Sequence, residues 1–177
     1  MRTHCGIVEA VVLALVVLCL ASCSSRPSSS DPWLSRATRV RAYASPNAGS
    51  LTVDGDGHMA ASGASADNSA VVAYPIKDGG WLSAVEVRDL KAGLSFGAPP
   101  AAFAACCAPR HAFLFYDDEG RYLGSLTVCF ECGCTTMSPH YAPSDPKTPY
   151  LHWKTEVFSR IVLAHHLGPL TQPEAGL

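Results

Sequence analysis

Ala112-Phe113-Leu114-Phe115-Tyr116, then Asp117-Asp118-Glu119-Gly120, then Arg121-Tyr122-Leu123-Gly124-Ser125-Leu126-Thr127-Val128-Cys129-Phe130, is the stretch that decides the fold. The first segment is an aromatic, apolar run of strand length. The second is acidic and ends in glycine, as a tight turn requires. The third returns with Leu, Thr, Val and Tyr, residues that suit a pleated surface. Two such runs around an Asp/Gly turn form a β-hairpin. If Asp117 faces Arg121, then His111 opposes Thr127, Cys106 faces Cys132, and Cys107 lies near Phe130 and Cys132.

Working outward, residues 40–45 alternate apolar and polar and read as another strand. Residues 46–69 are dominated by Gly, Ala, Ser, Asp and Asn, with only Leu51-Thr52-Val53 strand-like, and read as a surface excursion. Residues 70–76 form a β-branched run, followed by an expected turn at Lys77-Asp78-Gly79-Gly80. Ser83 and Glu86 have capping-box spacing, Leu82 and Val87 the spacing of a hydrophobic staple, and Gly93 is a natural C-terminal stop. This predicts a helix over about 83–92. Residues 134–149 hold four prolines and read as a loop. A second helix is expected over about 150–167, with Thr148 as cap, Pro149 at its first position and Gly168-Pro169 as its end. Val157, Phe158, Ile161, Val162 and Leu163 supply its apolar face, with Trp153 one turn earlier. The fold class expected is α+β: a small antiparallel sheet of about four strands, including the 112–130 hairpin, covered by two helices.

At the N-terminus, Arg2 precedes an uncharged apolar stretch over residues 10–20, shorter than the ~20 residues a spanning helix needs. It ends in Leu20-Ala21-Ser22-Cys23, which resembles the lipobox of bacterial lipoproteins. The resemblance implies a signal peptide over 1–22 that is removed. Cys23 would then be lipidated with palmitate-like acyl chains, and the membrane would be a partner through that lipid. Two or three chains at ~0.8 kcal/mol per buried methylene give durable anchoring. It also implies a location in the cell envelope. Ser24 after the cysteine implies the outer membrane, periplasmic side, in a Gram-negative cell. Ser24-Ser25-Arg26-Pro27-Ser28-Ser29-Ser30 cannot bury apolar surface, so 23–38 reads as a flexible tether and 39–177 as a single α+β domain. The formal net charge of −2 and the lack of a basic face point away from nucleic acid.

Besides Cys23, the exported part carries Cys106, Cys107, Cys129, Cys132 and Cys134, and the hairpin is expected to gather them. Three readings of that cluster are open. One is a disulfide staple; linking Cys107 to Cys132 would close a loop of about 25 residues, worth roughly 3 kcal/mol by chain entropy. This suits an oxidising compartment and a non-enzymatic binding or structural module. Another is a metal site: Cys129 and Cys132, at the C-x-x-C spacing, with Cys107 and His111 form a Cys3His set suited to zinc. Cys134, Met137 and His140 offer a softer set suited to copper. The third is thiol–disulfide oxidoreductase chemistry, for which no helix N-terminus is signalled after the C-x-x-C to lower a thiol pKa.

Pro109-Arg110-His111, Phe115-Tyr116-Asp117, Gly120 and Cys129-Phe130-Glu131-Cys132 together resemble a motif of uncharacterised small bacterial proteins. That resemblance implies a structural unit and no activity. Gly93-Leu94-Ser95-Phe96-Gly97 fits the nucleophile-elbow pattern, which needs a strand-to-helix turn, whereas here a helix precedes and Ala98-Pro99-Pro100 follows. Asp54-Gly55-Asp56-Gly57 opens like a calcium loop, but His58 stands where an acidic ligand belongs and no glutamate closes the loop. The residues therefore point to an interaction module ahead of an enzyme.

Overall fold

The expected hairpin lies inside the main sheet of the computed structural model, which describes residues 32–45, 50–64, 70–98, 108–139 and 150–168. In chain order these hold helix α1 (Pro32–Arg36) and strands β1 (Arg39–Ala44), β2 (Ser50–Val53), β3 (Met59–Ala64), β4 (Val71–Ala73) and β5 (Lys77–Trp81). Helix α2 (Ala84–Ala92) and strands β6 (Leu94–Gly97), β7 (His111–Tyr116), β8 (Tyr122–Val128) and β9 (Thr135–Ser138) follow. Strand β10 (Tyr150–Trp153) and helix α3 (Thr155–Ala164) complete the series. The α+β class holds, with ten strands and three helices among the described residues where about four strands and two helices were expected.

The main sheet has five strands in the order β5-β1-β7-β8-β9, all antiparallel. Its core face carries Val40, Ala42, Phe113, Phe115, Leu126 and Val128, and both longer helices cover it through Val87 and Leu90 of α2 and Phe158, Ile161 and Val162 of α3. Phe113, Phe115 and Phe158 are fully buried, each worth roughly 1.5–3 kcal/mol against exposure. On the other face Leu51 of β2 packs with Ala112 and Leu114. Gly124 permits the closest approach: a Cβ there would lie 2.5 Å from the Ser138 carbonyl oxygen and 3.0 Å from the Trp33 ring.

Helix α2 starts as its sequence dictates. The Ser83 hydroxyl accepts the Glu86 amide and the Glu86 carboxylate accepts the Ser83 amide, the reciprocal capping box, and Gly93 ends the helix.

Four expectations are corrected. Residues 150–153 are strand β10, paired with β6, so the last helix begins only at Thr155, with Lys154 at its cap and no side-chain cap bond. The edge of β6 offers backbone partners that outweigh one more helical turn. Residues 50–53 and 59–64, within the expected surface excursion, pair with each other and with β4 to make a second sheet, order β2-β3-β4. Lys77-Asp78-Gly79-Gly80 is not a turn but most of β5, paired to β1 with a bulge between Ala42 and Tyr43. Within 134–149, Thr135–Ser138 is a strand rather than loop. Folded structure also starts before the boundary expected at residue 39: Trp33 of α1 is buried, its ring edge-on to Phe115 at 5.2 Å.

The signal segment, Cys23, Cys106, Cys107, His140, Thr148 and Pro149 lie outside the described residues. Among the described residues no helix is long and apolar enough to cross a membrane.

Candidate functional site

The hairpin register is one residue away from the one expected, and that residue decides the site. Tyr116 faces Tyr122, but a bulge between Phe115 and Tyr116 makes Phe113 face Leu126 and His111 face Val128. Because side chains alternate along a strand, the shift puts Val128 on the face of His111 and sends Cys129 to the opposite face.

Beyond Val128 the chain makes a short turn through Phe130, Glu131 and Cys132 and re-enters the sheet at Thr135. Gly133 takes φ +65°, a left-handed conformation that a glycine supplies at no steric cost. The Cys129 amide donates to the Cys134 carbonyl at 2.9 Å, so the two cysteines stand across from each other where the turn joins β8 to β9. The turn is fastened from outside at two points. Trp153 of β10 donates its indole N–H to the Gly133 carbonyl at 3.2 Å. The Arg110 guanidinium, almost wholly buried, lies 3.7 Å from the Glu131 carboxylate.

Sulfur ligand atoms of Cys129, Cys132 and Cys134 all lie within 4.8 Å of one another, a spacing that could hold a metal ion. Cys132 Sγ is 2.9 Å from Cys129 Sγ and 3.9 Å from Cys134 Sγ. Two sulfurs on one tetrahedral zinc at ~2.3 Å stand about 3.8 Å apart, so the Cys132–Cys134 pair fits an ion. The Cys129–Cys132 contact is tighter than that and longer than the ~2.05 Å of a disulfide. Oxidation state separates the three further. Cys129 and Cys132 are not disulfide-bonded, whereas Cys134 is.

The expected histidine and methionine ligands sit elsewhere. His111 is 2 % exposed on the core face, edge-on to Phe130 at 5.1 Å, and is not in the sulfur group. Neither of its nitrogens has a hydrogen-bond partner. Burial pushes its pKa down to about 4; the nearby Leu167 backbone opposes this and the charge of Arg110 adds to it. Met137 is a core residue, facing Leu126 across β8–β9.

Ser95 of the G-x-S-x-G sequence lies mid-strand in β6 opposite His152, not on a strand-to-helix turn, so no nucleophile elbow exists there. Asp54 spends one carboxylate oxygen on the amides of Asp56 and His58, forming the exposed β2–β3 turn.

Two features escaped the sequence. A cleft of about 260 Å³ lies between β2 and the β8–β9 pair, lined by the hydroxyl residues Ser50, Thr52, Ser125, Thr127, Thr136 and Ser138. Its signal was the alternation of Ser125 and Thr127 with Leu126 and Val128, legible only once β2 was known to cross that face. Near the β5 edge, Arg39 stacks on Trp81 at 4.2 Å and Arg41 on the same ring at 5.5 Å, while Arg41 also pairs with Asp78. No protein-family model, curated protein or solved structure matches this chain.

Proposed function

We propose that the chain is a lipid-anchored cell-envelope protein, attached through Cys23, whose folded part is a non-enzymatic binding or structural module stapled at the open end of its hairpin. The observation that carries the staple is the disulfide at Cys134, directly across the β8–β9 pair from Cys129. A disulfide at that position removes freedom from the unfolded chain. The hydroxyl-lined cleft beside it provides the concave surface such a module would use, suited to a neutral, hydrogen-bonding ligand.

A second reading is favoured by one distance. The 3.9 Å between Cys132 and Cys134 matches two ligands of a zinc ion, and three thiolates would suit zinc or copper once the Cys134 disulfide is reduced.

Full-length protein purified from membranes in detergent tests both. The expected result is Cys134 recovered in a disulfide-linked peptide, no stoichiometric metal, and loss of acyl mass and of membrane fractionation in Cys23→Ser. A stoichiometric ion lost on Cys132→Ser would replace the staple with the metal centre.

A further inference from the structure

Ser125 and Thr127 of β8 stand opposite Ser138 and Thr136 of β9, so four hydroxyl side chains share one face of the sheet beside β2. Opposed side chains of this kind start about 5 Å apart, and alternate ones along a strand about 7 Å apart. Ser125 and Thr127 are buried at the floor of the cleft, while Thr52 and Thr136 are exposed at its mouth. Leu51, Val53 and Pro109 supply the apolar part of the lining.

That lining selects a chemistry. None of its nine residues is ionisable, so a charged ligand would give up hydration without meeting an opposite charge. A purely apolar ligand would strip water from the hydroxyls and return no hydrogen bond. Each hydroxyl offers one donor and two acceptor positions. Thr52 and Thr127 already donate to the carbonyls of Ala60 and Thr136, at 3.3 and 3.5 Å, and so present acceptor oxygens. The other hydroxyls rotate to donate or accept as a ligand demands. An extended peptide fits less well. The Leu51 amide, in the middle of β2, is spent on the Pro109 carbonyl at 2.6 Å, which interrupts the row of backbone groups an added strand would need.

We propose that this cleft binds a neutral sugar ring, whose hydroxyls bridge the opposed pairs Ser125–Ser138 and Thr127–Thr136 while its C–H face lies on Leu51, Val53 and Pro109. This rests on the reading of the chain as a binding module and names the class of ligand. The cleft's volume of about 260 Å³ is just under the ~300–1,000 Å³ of sites that enclose drug-sized ligands, so a single ring is held and a longer glycan would extend past the mouth. A free monosaccharide and the end unit of a neutral glycan present the same chemistry.

The test uses full-length protein in a glycerol-free detergent whose headgroup is not a sugar. Glucose, N-acetylglucosamine and the N-acetylglucosamine tetramer are titrated in turn, and saturation transfer to the sugar protons is read by NMR. Saturable binding in the millimolar range is expected, as a small, singly held ring gives. Tighter binding of the tetramer assigns the site to a glycan, and equal binding assigns it to the free sugar. Thr127→Val at the floor and Thr136→Val at the mouth each keep the side-chain shape and remove a hydroxyl. Each should weaken binding about threefold to tenfold, the usual worth of one hydrogen bond. Thr136 is exposed, so its variant stays readable if the buried one misfolds. No saturation by any of the three sugars, or affinity unchanged in both variants, overturns the assignment and leaves anchor and staple standing. Gluconate bound as tightly as glucose, or a Thr-Val repeat peptide bound where the sugars are not, also overturns it. Recovery of Cys134 as a thiol, or a stoichiometric metal, would instead fell the staple without altering the titration, so the two readings fail separately.

Discussion

The Trp153 indole donates to the carbonyl of Gly133, so a strand of the small β6–β10 sheet fastens the turn that carries all three sulfurs. Its ring also stands edge-on to Phe130 at 5.1 Å and to Phe158 at 5.3 Å, linking that turn to the helical layer. Trp153→Phe keeps most of the ring contact and removes the donor. The expected cost is about 0.5–1.5 kcal/mol, the usual net worth of one such bond. Alkylation of Cys132 in the native protein should quicken; unchanged rates would mean that the turn is held without Trp153.

His111 makes the fold acid-sensitive. Its pKa is about 4 when buried and near 6.5 when unfolded, so between these values the unfolded chain binds the extra proton. Stability is therefore full above pH ~6.5 and declines as pH falls towards 4, by roughly 3 kcal/mol in total. His111→Phe fills the same position beside Phe130 and removes two buried nitrogens that lack partners. Urea denaturation at pH 7.5 and 4.5 should show a smaller pH difference for the variant, at equal or higher stability at pH 7.5.

Gly124→Ala should be among the costliest small substitutions in the sheet. The new methyl would sit 2.5 Å from the Ser138 carbonyl oxygen, which belongs to a paired strand and cannot swing away. A loss of about 1–3 kcal/mol is expected, read as a lowered Tm with the fold retained. Gly55→Ala, with nothing within 4 Å of the added carbon, is the control and should shift Tm little.

Ser83→Ala removes the cap of helix α2 and frees the Glu86 amide. The loss should be about 1 kcal/mol in thermal or urea unfolding. Glu86 also faces His165 at the end of α3, at 3.1 Å, and its pKa lies below the usual value because its bonds to Ser83 and His165 outweigh the upward push of burial. A lowered carboxyl pKa means stability present above the unfolded value and lost as pH falls through the folded one. Ser83→Ala should therefore flatten part of the acid loss that His111 does not explain.

What was legible in the sequence was local. The hairpin, helix α2 and the apolar face of α3 follow from turn chemistry, capping residues and periodicity confined to neighbouring positions. Residues 150–153 were misread because Trp153 lies one turn before Val157, which mimics a helical face; their true partner, Leu94–Gly97, lies far upstream and leaves no mark on the segment itself. The Ala- and Ser-rich strand β3 has little β propensity of its own and is held by pairing on both sides. At the site, the proximity of Cys129, Cys132 and Cys134 could be foreseen from the hairpin and the short turn. The bulge beside Tyr116 could not, and it sets His111 opposite Val128 instead of Thr127. Which sulfurs are oxidised is also beyond residue identity, since thiol and half-cystine are spelled with the same letter.

The β1–β5 bulge and the glycines beside it have a bearing on crowding. β5 is one of the two edge strands of the main sheet, and a bare row of amides there would invite another chain to extend it. Its Lys77 and Asp78 charges, Gly79-Gly80 and the displaced register at Ala42/Tyr43 deny an incoming strand a flat, regular template. Many copies packed side by side on one surface would thus be kept from polymerising through that rim.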